Sequence, residues 1–253
     1  MLRTLGIPHG IKPKFLWTDD SNLKKHNAYH AAKAGDQVAA FKLVTEVALG
    51  WLVSHRDRFD AGAVFVAPHA VEATGDNAIP QTLAAVCSAI YFGQVDTDIV
   101  QTSRVYHTGA DPMERMAKRA LFEGRVTLGT EYVLVDDVTS LGGTLAELAN
   151  YIQQQGGVVK DIVLLVNAGR NREFAPNGKF IQLIQERFND EFTSTFGIYP
   201  IALTANEAQY LVGFKSIDAI RNRLSAAKKE IDRRLRSKGI TPVPEEPTIT
   251  AVD

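Results

Sequence analysis

The stretch Val133-Leu134-Val135-Asp136-Asp137-Val138-Thr139-Ser140-Leu141-Gly142-Gly143-Thr144 decides how the rest of the chain is read. An apolar run ends in two adjacent acids, and a small, hydroxyl-rich Gly-Gly turn then opens a helix. Glycines let backbone amides approach a ligand closely, and a helix N-terminus presents partial positive charge to an anion. The hydroxyls of Thr139, Ser140 and Thr144 can donate to phosphate oxygens, and carboxylates accept from sugar hydroxyls. The pattern suits a phosphorylated sugar. The plain alternative is an ordinary strand-turn-helix joint with Asp and Ser as turn formers.

Working outward, Asp36 is placed to cap a helix on which Phe41, Val44, Ala48 and Trp51 recur at helical spacing. Ala63-Val64-Phe65-Val66-Ala67 reads as a buried strand ended by Pro68. Pro80 sits near the first turn of a helix running to about Tyr91. Asp98 to Gln101 is a second strand candidate, and Tyr132 to Val135 carries the motif. Thr144 to Gln155 is the helix behind it, closed by Gly156-Gly157, and Asp161 to Asn167 is a further apolar strand. Strands alternating with helices at this spacing imply a mostly parallel sheet covered on both faces. Ligands of such sheets bind beyond the carboxyl ends of the strands. The motif and the loops after Val66 and Val166 are therefore expected to converge.

The segment from Val133 to Thr144 resembles the phosphoribosyl-pyrophosphate (PRPP) signature of type I phosphoribosyltransferases: four apolar residues, two acids, then a phosphate loop. The resemblance covers roughly residues 60 to 170, by its alternating elements. It implies an α/β fold with a type I phosphoribosyltransferase-like core, a mostly parallel sheet flanked by helices, and extra N- and C-terminal helical segments. On that basis residues 1–35 form an N-terminal extension and 36–203 the core. Residues 204–240 form a C-terminal helical segment, and 241–253 a tail whose Pro- and Thr-rich composition predicts disorder.

The implied activity moves the phosphoribosyl group of magnesium-PRPP to a nitrogen acceptor, a nucleobase or related heterocycle, and releases pyrophosphate. Asp136 and Asp137 would hold the ribose 2- and 3-hydroxyls and Mg2+, the metal through water. Val138, Thr139, Ser140, Leu141, Gly142, Gly143 and Thr144 would hold the 5-phosphate. Where 6-oxopurine enzymes carry an Asp acting on purine N7, this chain has Ser140, which argues against that branch.

The loop from Pro68 to Asn77 matches the family's pyrophosphate loop without its usual small-Lys/Arg-Gly form, leaving His69 and Asn77 as contacts; His69 reads equally as a turn residue. Residues 104–125 match the family's closing lid, with Arg104 and Arg119 as the catalytic cations expected to reach pyrophosphate. The alternative is a surface amphipathic helix from Met113 to Leu121. Arg170 either meets pyrophosphate or base, or caps a strand end. A homodimer is implied by family analogy.

Charge is nearly balanced, with 28 Lys and Arg against 29 Asp and Glu, so neither a nucleic-acid nor a membrane partner is expected. The sole cysteine, Cys87, lies among apolar neighbours, which predicts a buried helical position. The absence of a secretory apolar core makes a cytoplasmic location the expectation. His26 and His30 stand at helical i, i+4 spacing without a third ligand, too little for zinc. The helix from Ser216 to Lys238 joins an apolar stripe to many basic residues. It supports a second reading, a non-catalytic PRPP or nucleotide sensor whose basic helix contacts nucleic acid.

Overall fold

The computed structural model describes residues 2–56, 59, 62–68, 71–72, 75–103 and 110–237. Arg104, His69 and the tail lie outside the described residues. The strands are β1 (Lys14–Trp17), β2 (Val64–Val66), β3 (Val71–Glu72), β4 (Gly75–Asp76), β5 (Gln94–Val95), β6 (Val100–Gln101), β7 (Phe122–Glu123), β8 (Glu131–Thr139) and β9 (Val158–Asn167). The helices are α1 (Ser21–Lys25), α2 (Tyr29–Lys33), α3 (Gln37–Val53), α4 (Ile79–Tyr91), α5 (Pro112–Ala117), α6 (Gly143–Gln154), α7 (Gly178–Phe196), α8 (Ala205–Leu211) and α9 (Ile217–Ser237).

A five-stranded sheet in the order β1-β9-β8-β2-β5 is parallel throughout. Alternation along its strands sorts the core into two layers. Val133, Val135, Val163, Leu165 and Phe65 pack with α3 and α4 residues such as Leu43 and Leu83. Tyr132, Leu134, Ile162, Leu164 and Val66 pack on the other face with Leu145, Leu148 and Ile152 of α6. A third cluster is mostly helical: Met113 and Met116 of α5 bury against Phe188 and Phe192 of α7, Leu211 of α8 and Ile220 of α9.

The helix ends follow their sequence signals. The Asp36 carboxylate accepts from the Ala39 amide at the start of α3, and proline occupies the first turn of α4. Cys87 is fully buried in α4, and burial pushes its thiol far up from the range of a reactive thiolate.

Two sequence expectations require correction. The second strand of the core is not Asp98 to Gln101 but β5, too short at Gln94-Val95 to show a pattern. The Asp96 carboxylate accepts from the Asp98 and Ile99 amides, and this turn redirects the chain. Val100 and Gln101 then pair antiparallel with β7, apart from the main sheet. The motif strand also runs farther than Val135, through both acids to Thr139. The first 35 residues contribute β1, the sheet edge beside β9.

The connection from β2 through α4 leads outward to β5, whereas that from β8 through α6 leads the other way to β9. The reversal falls between β2 and β8, and a crevice at such a switch point is where open α/β sheets bind ligands.

Candidate functional site

The carboxyl ends of β2 and β8 border a cavity of about 270 Å³. Asp136, Asp137 and every residue from Val138 to Thr144 line it, together with Asn77 and Arg119. Because the strand continues through the acids, the pleat turns their carboxylates to opposite faces, which limits the repulsion expected of an adjacent pair.

Asp137 is 3% exposed and is held by three donors. Lys33 Nζ stands 2.9 Å from one oxygen, Asn77 Nδ2 donates to it at 3.1 Å, and the Val138 amide donates to the other oxygen at 2.8 Å. Asp136 is only half-buried, and its Oδ1 accepts from the Asp137 amide. The two acids therefore differ in kind. Both line the cavity, but Asp137 is buried and locked by Lys33 and Asn77, whereas Asp136 is the more exposed of the two.

The phosphate-type turn is shaped by residues remote in sequence. Gly142 takes φ 80°, and a Cβ there would lie 2.5 Å from the Phe174 ring, so glycine is required on both counts. Thr204 Oγ1 donates to the Leu141 carbonyl at 2.5 Å, and the Ala168 amide donates to the Thr139 carbonyl at 2.8 Å. A Cβ on Gly169 would meet the Ser140 carbonyl at 2.6 Å, which shows how closely the loop after β9 presses on the turn.

Beneath the turn lies a buried charge network that sequence reasoning missed. Arg3 is 0% exposed, with guanidinium nitrogens 2.6 Å from Glu207 and 3.3 Å from Glu147. Arg119 grips Glu147 through Nε at 2.5 Å and Nη2 at 2.8 Å, and its Nη1 donates to the Phe196 and Gly197 carbonyls. Thr204 and Glu207 form a reciprocal capping box at the start of α8. The Thr-x-x-Glu spacing is visible in the sequence, but nothing there places it under the turn.

Arg119 thus fastens the segment after α5 to α6 and to the end of α7. Asp111 caps α5 and pairs with Arg223 of α9, while Arg234 pairs with Glu114 at 2.8 Å. From residue 110 onward this region is docked, with Met113 and Met116 buried rather than on a surface helix.

Its other cations face the cavity. Burial pushes the Arg115 guanidinium and the Lys118 ammonium below their usual pKa values, and acids partly offset this. A cation desolvated in this way is stabilised when an anion enters beside it. Gln101 also lines the cavity. Its Nε2 donates to the Ser103 carbonyl, and its buried Oε1 has no hydrogen-bond partner among the described residues. Arg170 is exposed and stands apart from the cavity lining. Four arginines of α9 meet acids; besides Arg223 and Arg234, Arg221 pairs with Glu191 and Arg233 with Glu230. No helix of the described residues is long and apolar enough to cross a membrane.

No family model matches the chain. It is 36% identical over 235 residues to Protein TraN of Escherichia coli, covering 90% of this chain and 52% of that protein. The chain thus spans about half of TraN's length. A hypoxanthine/guanine phosphoribosyltransferase of Methanocaldococcus infernus is 35% identical over 57 residues, 22% of this chain and 31% of that protein. Among solved structures, adenine phosphoribosyltransferase from Leishmania donovani aligns over 75% of this chain and 78% of its own, at 13% identity and a TM-score of 0.35. The chain's own sheet is mostly parallel and flanked by helices, and it carries Asp136, Asp137 and the Val138–Thr144 turn at the carboxyl end of its central strand, an α/β architecture.

Proposed function

We propose that the protein binds magnesium-PRPP in this cavity and transfers its phosphoribosyl group to a nitrogen heterocycle, releasing pyrophosphate. The observation that carries the reading is the meeting of a half-buried acid, a glycine-hydroxyl turn at a helix N-terminus, and desolvated cations in one cavity. The turn from Val138 to Thr144 receives the 5-phosphate, where backbone amides and the α6 dipole favour an anion. Asp136 accepts from ribose hydroxyls. Arg115 and Lys118, together with Lys24 and Lys33, face the pyrophosphate and stabilise the charge that develops on it as it leaves.

The donor set fits magnesium. The Asp136 carboxylate is an oxygen ligand of the hard type this ion prefers, and the ion keeps several waters when bound to phosphates. Lys33 already neutralises Asp137, so that acid fits an outer, water-mediated role. When bound, magnesium supplies charge neutralisation on the pyrophosphate oxygens.

A second reading, PRPP binding without transfer, draws on the absence of a basic pyrophosphate loop and on the lock that Lys33 places on Asp137. Its nucleic-acid component is weakened because Arg221, Arg223, Arg233 and Arg234 of α9 all pair with acids. A pyrophosphate-release assay with magnesium-PRPP and a panel of nucleobases and heterocycles separates the two. Release that depends on one acceptor supports transfer. Saturable PRPP binding with no release on any acceptor supports the sensor.

A further inference from the structure

We infer that Arg3 is a positioning residue for the phosphate-binding turn, setting its affinity for phosphate by cancelling two carboxylates lodged against it. The inference rests on the reading of this cavity as a phosphoribosyl site and adds an electrostatic component that no motif discloses. Glu147 and Glu207 both line the cavity and are 4% and 2% exposed. Glu207 Oε1 lies only 3.0 Å from where a Cβ on Gly143 would stand, at the first residue of α6. Glu147 is one helical turn farther along the same helix.

Two buried negative charges at this place oppose a phosphate dianion, since like charges in a low-dielectric surrounding interact strongly. Arg3 answers them. One guanidinium nitrogen reaches Glu207 at 2.6 Å, and the other lies 3.3 Å from Glu147 and 3.5 Å from the Gly143 carbonyl. Arg119 supplies the second cation, through Glu147. Two acids and two guanidinium groups then sum to zero, and the α6 N-terminus is left to attract the anion. The Arg3 backbone is itself fixed, its amide donating to Gly197 and its carbonyl accepting from Tyr199. The N-terminal segment is thereby built into the floor of the site.

The test uses the full chain and ribose 5-phosphate, titrated by calorimetry. Glu207→Gln keeps the capping box, which accepts Glu or Gln at this position, and removes one negative charge. It is expected to tighten binding about threefold or more by this electrostatic argument. Arg3→Met is expected to weaken binding by about tenfold or more, and the double variant Arg3→Met/Glu207→Gln to recover most of that loss. A residue acting only through packing predicts the reverse for Glu207→Gln, because breaking the network loosens the turn. Equal or weaker binding by Glu207→Gln, or no recovery in the double variant, overturns the inference. If Arg3→Met fails to fold by circular dichroism, Glu207→Gln decides alone. Failure of the unaltered protein to bind either ribose 5-phosphate or magnesium-PRPP sinks the underlying reading instead, and that outcome is distinct from the others.

Discussion

Asp136 and Asp137 are neighbours in sequence, yet the pleat gives them different work. Asp137 carries a buried charge that Lys33 and Asn77 compensate. Removing Lys33 leaves that charge short of a partner. Lys33→Met is therefore expected to lower stability by roughly 1–3 kcal/mol, below the loss for breaking a fully buried pair because Lys33 is partly exposed. Urea denaturation of the two proteins measures this, and an unchanged midpoint would show that the pair is dispensable. Gly142 offers a second check. Alanine there must adopt the left-handed region, at a cost of about 1–2 kcal/mol, and must also push the Phe174 ring aside. Gly142→Ala should lose stability by at least that much and lose phosphate-ligand affinity with it. The acids and the glycines were legible from the sequence. Their partners were not, because Lys33, Phe174, Thr204 and Glu207 reach the motif only through the tertiary fold.

At the scale of elements, α5 shows why a charged stretch between strands is hard to read. Its charges suggested a lid or a solvated helix, yet Met113 and Met116 are buried against α7, α8 and α9. Asp111 connects the two levels, since its carboxylate accepts from the Met113 and Glu114 amides and pairs with Arg223. Burial pushes the Asp111 carboxyl upward, but the Glu114 amide, the Arg223 guanidinium and the Met113 amide outweigh it and hold the pKa below 3.8. A carboxyl lowered in the folded state contributes stability that is complete above its unfolded value and lost as pH falls through the folded one. Asp111→Ala should therefore lower stability at pH 7 by about 0.5–2 kcal/mol, the usual loss for an N-cap. The difference from the unaltered protein should shrink as pH falls below 3.8. Thermal melts at pH 7 and pH 3 check both, and a gap that does not close on acidification would contradict the assignment. The strand read at Asp161 to Asn167 was legible because the apolar run from Ile162 to Val166 within it is buried at every residue. The edge strand Gln94-Val95 was not, because two residues carry no period.

Across the whole molecule, the order β1-β9-β8-β2-β5 and its reversal between β2 and β8 place the cavity where the motif alone could only suggest it. The Arg3–Glu207–Glu147–Arg119 network joins the N-terminal segment, α6, the end of α7 and α8 beneath that cavity. Breaking a buried ion pair by removing one partner typically loses about 3–5 kcal/mol. Arg3→Met should lower the global unfolding free energy by a comparable amount in urea denaturation, and a loss under about 1 kcal/mol would show the network to be peripheral. Such long-range pairing lies beyond sequence reading, since Arg3 and Glu207 stand 204 residues apart and the capping-box spacing of Glu207 says nothing of its partner. The cavity at the end of β8 is proposed as a PRPP site. Calorimetric titration with magnesium-PRPP tests it most directly, comparing the unaltered protein with the Asp136→Asn/Asp137→Asn double variant. Saturable binding that the double variant abolishes while remaining folded is the predicted result; equal affinity in both proteins, or no binding by the unaltered protein, would contradict it.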